Sequence, residues 1–188
     1  MDTLFPFDKF LPEGFVYLPD FLSPLEEEHL CNQIKETSLH TFIFQGYEAK
    51  RKVASFGYDY SFDKRVLTKG ADIPTDFDWL LQKVRRRVNA LNEFAEMLIT
   101  EYPPGSVINW HRDAPPFDMI VGISLASNCT FRFRPHDKAK QNRKAIISFP
   151  LEKRSLYVLQ GASRTEWQHS IMPVKTLRYS VTLRTLKQ

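Results

Sequence analysis

Arg178-Tyr179-Ser180-Val181-Thr182-Leu183-Arg184 decides how this chain is read. Polar and apolar residues alternate through it, which is the period of a β-strand whose successive side chains point to opposite faces. Tyr179, Val181 and Leu183 make one wholly apolar face, suited to a core or a helix. Arg178, Ser180, Thr182 and Arg184 share the other face and bring two permanent cations to it. In an isolated strand that polar face would lie in water. Upstream, however, Leu98, Thr100 and Tyr102 share a face of 97–102, and Val107, Asn109 and His111 share a face of 107–111. Each row sets groups that hydrogen-bond or ligate beside large apolar ones. Several such rows turned toward one cavity make a pocket with an apolar lining and a few placed polar groups.

Working outward, further strand-like segments lie at 118–126, 129–134, 144–149, 155–160 and 166–171, separated by Pro, Gly, Asn and Asp. With 97–102, 107–111 and 178–185 they make eight short strands within about 90 residues, which predicts a jelly roll (double-stranded β-helix) or a similar double-sheet barrel. The N-terminal half has another texture. Ser23-Pro24-Leu25-Glu26 is a capping box with proline at the first helical position, opening a helix to about Glu36 that buries Leu30 and Ile34. Residues 41–62 alternate like the strands of a hairpin. Thr75-Asp76-Phe77-Asp78 opens a second helix with Phe77, Leu81, Val84, Val88 and Leu91 on one face. Lys83, Arg85, Arg86 and Arg87 lie mostly off that face and read as a solvated basic side. The expected class is α+β with a mainly β core: one domain over 1–188, with a helical, lid-like part at 1–95 packed on a jelly roll at 96–188.

Bulk properties bound the function. The chain has 188 residues, 43% hydrophobic, enough for one domain with a real core and too apolar for a disordered protein. No apolar run is long enough to span a bilayer, and the start lacks the charged and apolar regions of a signal peptide. Cys31 and Cys129 are far apart and read as free thiols in a reducing compartment, here the cytoplasm. The formal net charge of +4 is compatible with a polyanionic partner. A monomer is the default.

Chemistry enters with His111-Arg112-Asp113 and the later His169. Two imidazoles and a carboxylate can hold Fe(II) on one side and leave three coordination positions open. His111 and Asp113, two apart at a strand end, reach one ion, and His169 comes to it by closure of the barrel. The same ligands also make a catalytic zinc site. Arg178 and Arg184 favour iron, since a dicarboxylate co-substrate would need them and a hydrolase has no evident use for them. His29 and His136 read as solvated, and His40 has no setting comparable to that of His111 and His169.

Thr100-Glu101-Tyr102-Pro103-Pro104-Gly105, His111-Arg112-Asp113 and Arg178 to Arg184, with the entry segment Gly14 to Leu22, resemble the AlkB-like 2-oxoglutarate- and Fe(II)-dependent dioxygenases. The likeness covers roughly residues 12–185, and the last segment is similar to the family's R-x-N-x-T-x-R signature. It implies that His111, Asp113 and His169 ligate Fe(II). It also implies that Arg178 pairs with the distal carboxylate of 2-oxoglutarate, that Tyr102 hydrogen-bonds it, and that Arg184 lies near the metal-bound end. Thr100 and Ser180 stand where the family has Asn, and Pro115 stands where some repair members have an acid.

The resemblance further implies O2-dependent dealkylation of bases in DNA or RNA, as in DNA repair, releasing formaldehyde, succinate and CO2. Residues 47–62 set Tyr47, Lys50, Arg51, Lys52, Phe56, Tyr58, Tyr60 and Phe62 together, cations and rings of the kind a flipped base requires. Arg51, Tyr58 and Tyr60 are the candidate substrate contacts. Phe131 and Phe133, alternating with Arg132 and Arg134, form a second such stretch. The alternatives are the same oxygenase chemistry on a protein side chain or small molecule, and a nucleic-acid-binding module without catalysis.

Overall fold

The structure, a computed structural model, describes residues 11–44, 46–61 and 64–188. In chain order the strands are β1 (Phe15–Leu18), β2 (His40–Phe44), β3 (Tyr47–Ser61), β4 (Val66–Lys69), β5 (Glu96–Tyr102), β6 (Ile108–His111), β7 (Phe117–Leu125), β8 (Cys129–Pro135), β9 (Ile147–Leu151), β10 (Leu156–Leu159), β11 (Trp167–Ile171) and β12 (Arg178–Leu186). The helices are α1 (Pro24–Glu36), α2 (Asp78–Val88) and the short α3 (Gly161–Thr165). A large sheet runs β1-β10-β7-β12-β5-β3-β2, with β4 paired to β3, and a smaller sheet runs β6-β11-β8-β9. All pairings are antiparallel. These two facing sheets are the jelly roll that the strand spacing predicts. β9 starts later than expected, at Ile147, because Arg143–Ala145 curls into a 3-10 turn under the Asn142 side chain.

The part read as helical and lid-like also adds strands to the barrel. β3 hydrogen-bonds to β5 from Lys52↔Glu101 to Gly57↔Glu96, and β1 closes the far edge on β10. The segments on either side of residue 95 therefore share one sheet.

The two sides of β12 go where their chemistry directs them. Tyr179, Val181 and Leu183 enter an apolar cluster with Leu30, Ile34, Leu80 and Val84, which fastens α1 and α2 to the back of the large sheet. α1 carries the full capping box, with Ser23 Oγ accepting from the Glu26 amide at 3.2 Å and Glu26 accepting from the Ser23 amide at 2.8 Å. The second helix departs from expectation at both ends. Its start is a 3-10 turn, Thr75–Phe77, with no side-chain cap. Its end comes at Asn89, whose left-handed φ of 49° stops the helix before Leu91 can join the buried face. Leu91 is 93% exposed, and Leu80 rather than Leu81 is the fully buried leucine of the helix.

A second cluster lies between the sheets and holds Tyr102, Phe117, Phe131, Phe133, Phe149 and Tyr157. Phe131 and Phe133 are thus core residues, which removes them as stacking surfaces for a base. Phe56 packs on the first cluster and is excluded in the same way. The Tyr47 side chain and Phe62 fall outside the described residues. Gly122 is required by close approach: a Cβ there would meet the Tyr157 ring at 2.1 Å. Cys31 and Cys129 are both free, as read from the sequence. Among the described residues no helix is long and apolar enough to cross a membrane.

Candidate metal centre and anion pocket

β6 and β11 are neighbours, and their register sets His169 directly opposite His111. Asp113 follows two residues later, where the chain turns toward β7. One ligand atom from each of the three lies within 4.8 Å of the others. The imidazole rings are 4.2 Å apart at centroids, and His169 Nε2 is 3.6 Å from Asp113 Oδ2. Asp113 and His169 are buried, while His111 is partly open to solvent.

The electrostatics leave lone pairs facing inward. Burial, helped by the nearby His111, pushes His169 down to about 3, so its ring is neutral at ordinary pH. Its contact with Asp113 is therefore not an ion pair. His111 Nδ1 lies 2.8 Å from the Asn109 carbonyl, which can only accept, so Nδ1 carries a proton and Nε2 is the nitrogen turned to the other two ligand candidates. Burial alone would raise the Asp113 carboxyl, but the Arg184 guanidinium above all holds it well below the usual carboxylate range. Arg184 donates to Asp113 Oδ1 through Nε at 3.0 Å and Nη2 at 2.7 Å, while Oδ2 is buried with no partner. Two imidazole nitrogens and one orphaned carboxylate oxygen converge, and this donor set fits a divalent first-row metal with open positions.

Arg184 is itself held from the other side. β12 pairs with β5 so that Arg184 faces Glu96, and Nη1 donates to Glu96 Oε2 at 2.6 Å. Burial raises the Glu96 carboxyl, and Arg184 offsets part of that rise. A second buried guanidinium, Arg164 of α3, donates to the carbonyls of Ala114 at 2.7 Å and Phe117 at 3.1 Å and so pins the turn that carries Asp113. Glu96 and Arg164 escaped the sequence reading. Glu96 had a signal: Glu96 and Tyr102 have the same spacing as Arg184 and Arg178, which antiparallel pairing of the two strands brings together. Arg164 had none.

Six residues before Arg184 on the same face, Arg178 is fully buried. Its Nε donates to Ser124 Oγ at 3.1 Å, and the guanidinium lies 4.8 Å from the Tyr102 ring centroid. Nη1 and Nη2 are buried with no partner. Tyr102 Oη and Ser180 Oγ are 3.3 Å apart beside it. A buried cation with two unpaired donors is costly unless an anion meets it. The planar fork matches a carboxylate bidentately, so the pocket suits the far end of a dicarboxylate such as 2-oxoglutarate. Ser124 was also missed, since nothing in β7 marks it.

The three candidate substrate contacts separate. Arg51 comes one residue before the first β3–β5 pair, Lys52↔Glu101; it lies 4.0 Å over the Phe42 ring and donates to the Val107 carbonyl at 3.4 Å. Tyr60 packs with Leu67 against the cluster between the sheets. Tyr58 lines a different concavity of about 520 Å³, with Lys69, Asn92 and Leu186, which includes no metal-ligand candidate. Thr100 is buried opposite Ser180, and Pro115 is exposed in the turn after Asp113.

Comparison with known proteins converges on the same region. The sequence profile of the 2OG-Fe(II) oxygenase superfamily matches residues 14–184. Alkbh8 of Xenopus tropicalis, named a tRNA (carboxymethyluridine(34)-5-O)-methyltransferase, is 27% identical over 174 residues, covering 88% of this chain and 26% of that protein. The human DNA oxidative demethylase ALKBH2 is 29% identical over 142 residues, covering 69% of this chain and 52% of its own. The chain thus spans about a quarter of the first of these relatives and half of the second. The solved structure of OsALKBH1 superposes with a TM-score of 0.71 at 15% identity, covering 94% of this chain and 98% of that one.

Proposed function

This chain belongs to the 2OG-Fe(II) oxygenase superfamily, and from that premise we propose that it removes alkyl groups from nucleobases, with RNA the favoured carrier. The observation that carries the reading is the shared inward face of β12. At one end it fixes a carboxylate whose free oxygen meets two histidine rings; at the other it buries a guanidinium whose Nη1 and Nη2 have no hydrogen-bond partner. When bound, Fe(II), 2-oxoglutarate and O2 supply oxidation of a C–H bond, with succinate and CO2 as co-products.

The protein's part is placement. His111, Asp113 and His169 hold the metal. Arg184, braced by Glu96, fixes Asp113 Oδ1 and leaves Oδ2 for ligation. Arg178, with Tyr102 and Ser180, binds the far carboxylate. Apolar walls from Phe117, Phe131 and Phe133 keep water from the reacting region. An N-methyl group oxidised there gives an unstable N-hydroxymethyl product that loses formaldehyde.

The nucleobase assignment is supported by the names of the relatives, which concern tRNA uridine modification and DNA demethylation. Preference for RNA rests on three tRNA-named relatives at 27–28% identity over 86–88% of the chain. Arg51, by Phe42 and the Val107 carbonyl, and Tyr60, against the cluster between the sheets, are the residues offered to the base. A cytoplasmic setting, in keeping with the free thiols, belongs to the same proposal.

The test is incubation of the iron-loaded protein with methylated ribo- and deoxyribo-oligonucleotides, reading formaldehyde and the loss of one CH2 unit by mass. Turnover abolished in Asp113→Ala supports the reading. Succinate formation with every methylated oligonucleotide left intact removes it.

A further inference from the structure

The formal charge of this chain is concentrated in one hairpin. Between Thr130 and Ile146 lie Arg132, Arg134, Lys138, Lys140, Arg143 and Lys144 against a single acid, Asp137. The whole chain has a net charge of +4, so everything outside this segment is slightly acidic in sum. The segment is β8 and the loop that leads to β9.

β8 turns its two sides to different tasks. Phe131 and Phe133 are buried between the sheets, so Arg132 and Arg134 stand on the outer face of the small sheet, about 7 Å apart along the strand. Arg132 Nε donates to Ser170 Oγ at 3.0 Å and Arg134 Nε to Gln168 Oε1 at 2.6 Å, both on neighbouring β11. Each guanidinium also lies 4.7 Å from the ring centroid of Trp110 on β6. Among the described residues neither has a carboxylate within ion-pair distance. Both cations are thus anchored through Nε and stacked on one indole, and their charge is uncompensated. Two like charges fixed together in this way are relieved by an external anion, and forked donors of set orientation match phosphate oxygens.

The position of Trp110 ties this surface to the chemistry. It precedes His111 on β6, the edge strand of the small sheet. His111 turns inward to the metal ligands, and Trp110 turns outward to the arginines. A polymer with one unit in the pocket therefore meets this stripe by crossing a single strand edge. The indole holds both guanidinium groups beside that edge, where they meet the phosphates of a strand leaving the pocket.

We propose that the outer face of the small sheet, Trp110 with Arg132 and Arg134, continued by Lys138 and Lys140, is a docking track for single-stranded RNA flanking the base under repair. The track rests on the nucleobase reading above and adds to it the place where the backbone lies. The basic side of α2, which carries Arg86 and Arg87, is not part of it.

The experiment uses the full chain and fluorescence anisotropy with an unmodified 12-nucleotide single-stranded RNA, and the same sequence as DNA, across a series of KCl concentrations. Arg132→Ala/Arg134→Ala weakens RNA binding at least tenfold, and the slope of log affinity against log salt falls by about 1.4, the value for two lost phosphate contacts on a single strand. Lys138→Glu/Lys140→Glu, on an exposed loop where folding is not at stake, weakens it similarly, and Arg86→Ala/Arg87→Ala leaves it unchanged. Parent-like binding by both track variants overturns the proposal, as does loss confined to the α2 variant. Equal binding of the DNA overturns the assignment to RNA. Turnover of the methylated oligonucleotides is measured in parallel: its absence from all of them, with RNA binding still lost in the track variants, sinks the dealkylase reading and leaves the track standing.

Discussion

Replacing Arg178 by methionine separates a binding role from a structural one, because the two predict opposite signs. In the absence of co-substrate the side chain is a fully buried cation with Nη1 and Nη2 unpaired. Removing an uncompensated buried charge in favour of an apolar side chain of similar length is often neutral or stabilising by about 1–4 kcal/mol. Against this stands the lost bond to Ser124 Oγ, whose orphaning costs about 1–3 kcal/mol. The two nearly cancel, so Arg178→Met keeps a stability within about 2 kcal/mol of the parent. Binding of 2-oxoglutarate behaves otherwise. Truncating one partner of a buried, hydrogen-bonded charge pair costs about 2–5 kcal/mol, which is roughly 30- to 4,000-fold in Kd. Anaerobic calorimetry with Mn(II) in place of iron reads the affinity, and urea unfolding reads the stability. Co-substrate binding within threefold of the parent, or a stability loss beyond about 4 kcal/mol, would show that Arg178 holds the fold together and refute the argument.

Other substitutions probe the remaining parts. Glu96→Ala removes one of the two carboxylates that hold Arg184 and lowers Mn(II) affinity by about 10- to 100-fold in a titration followed by electron paramagnetic resonance, while Glu96→Gln keeps most of it; equal affinity in all three proteins contradicts the bracing role. His169 is held near 3 in the fold against 6.5 when exposed, so the unfolded chain binds the extra proton first as pH falls. Metal-free stability therefore drops by about 2 kcal/mol between pH 7 and pH 5, and since the raised Glu96 carboxyl acts in the opposite direction, the measure is the difference from His169→Gln, whose profile is flatter. Ser23→Ala opens the capping box of α1 and costs about 1 kcal/mol in denaturant unfolding with no change in metal affinity.

The barrel was legible because its strands carry strict alternation. β12 has an apolar side that must meet the helices and a polar side that has no place in a core, and both went where that chemistry requires. The triad that the structure brings together was legible because His111 and Asp113 sit at a strand end. What stayed hidden depended on lateral register. Glu96 becomes part of the site only when β5 lies beside β12, and Ser124 only when β7 lies on its other side. Arg164 reaches the turn after Asp113 from a five-residue helix with no periodic pattern. The aromatic residues at 131 and 133 were misleading for a related reason. Alternating Phe and Arg mark a strand with one wet face, but composition alone does not say that the rings are inside and that the cations carry the surface.

The most direct test of the whole account is a crystal structure grown without oxygen in the presence of Mn(II) and 2-oxoglutarate. A single metal ion held by His111 Nε2, Asp113 Oδ2 and His169, with the far carboxylate of the oxo acid against Arg178 Nη1 and Nη2, is the result expected. A metal bound elsewhere, or an oxo acid that leaves Arg178 unpaired, contradicts it.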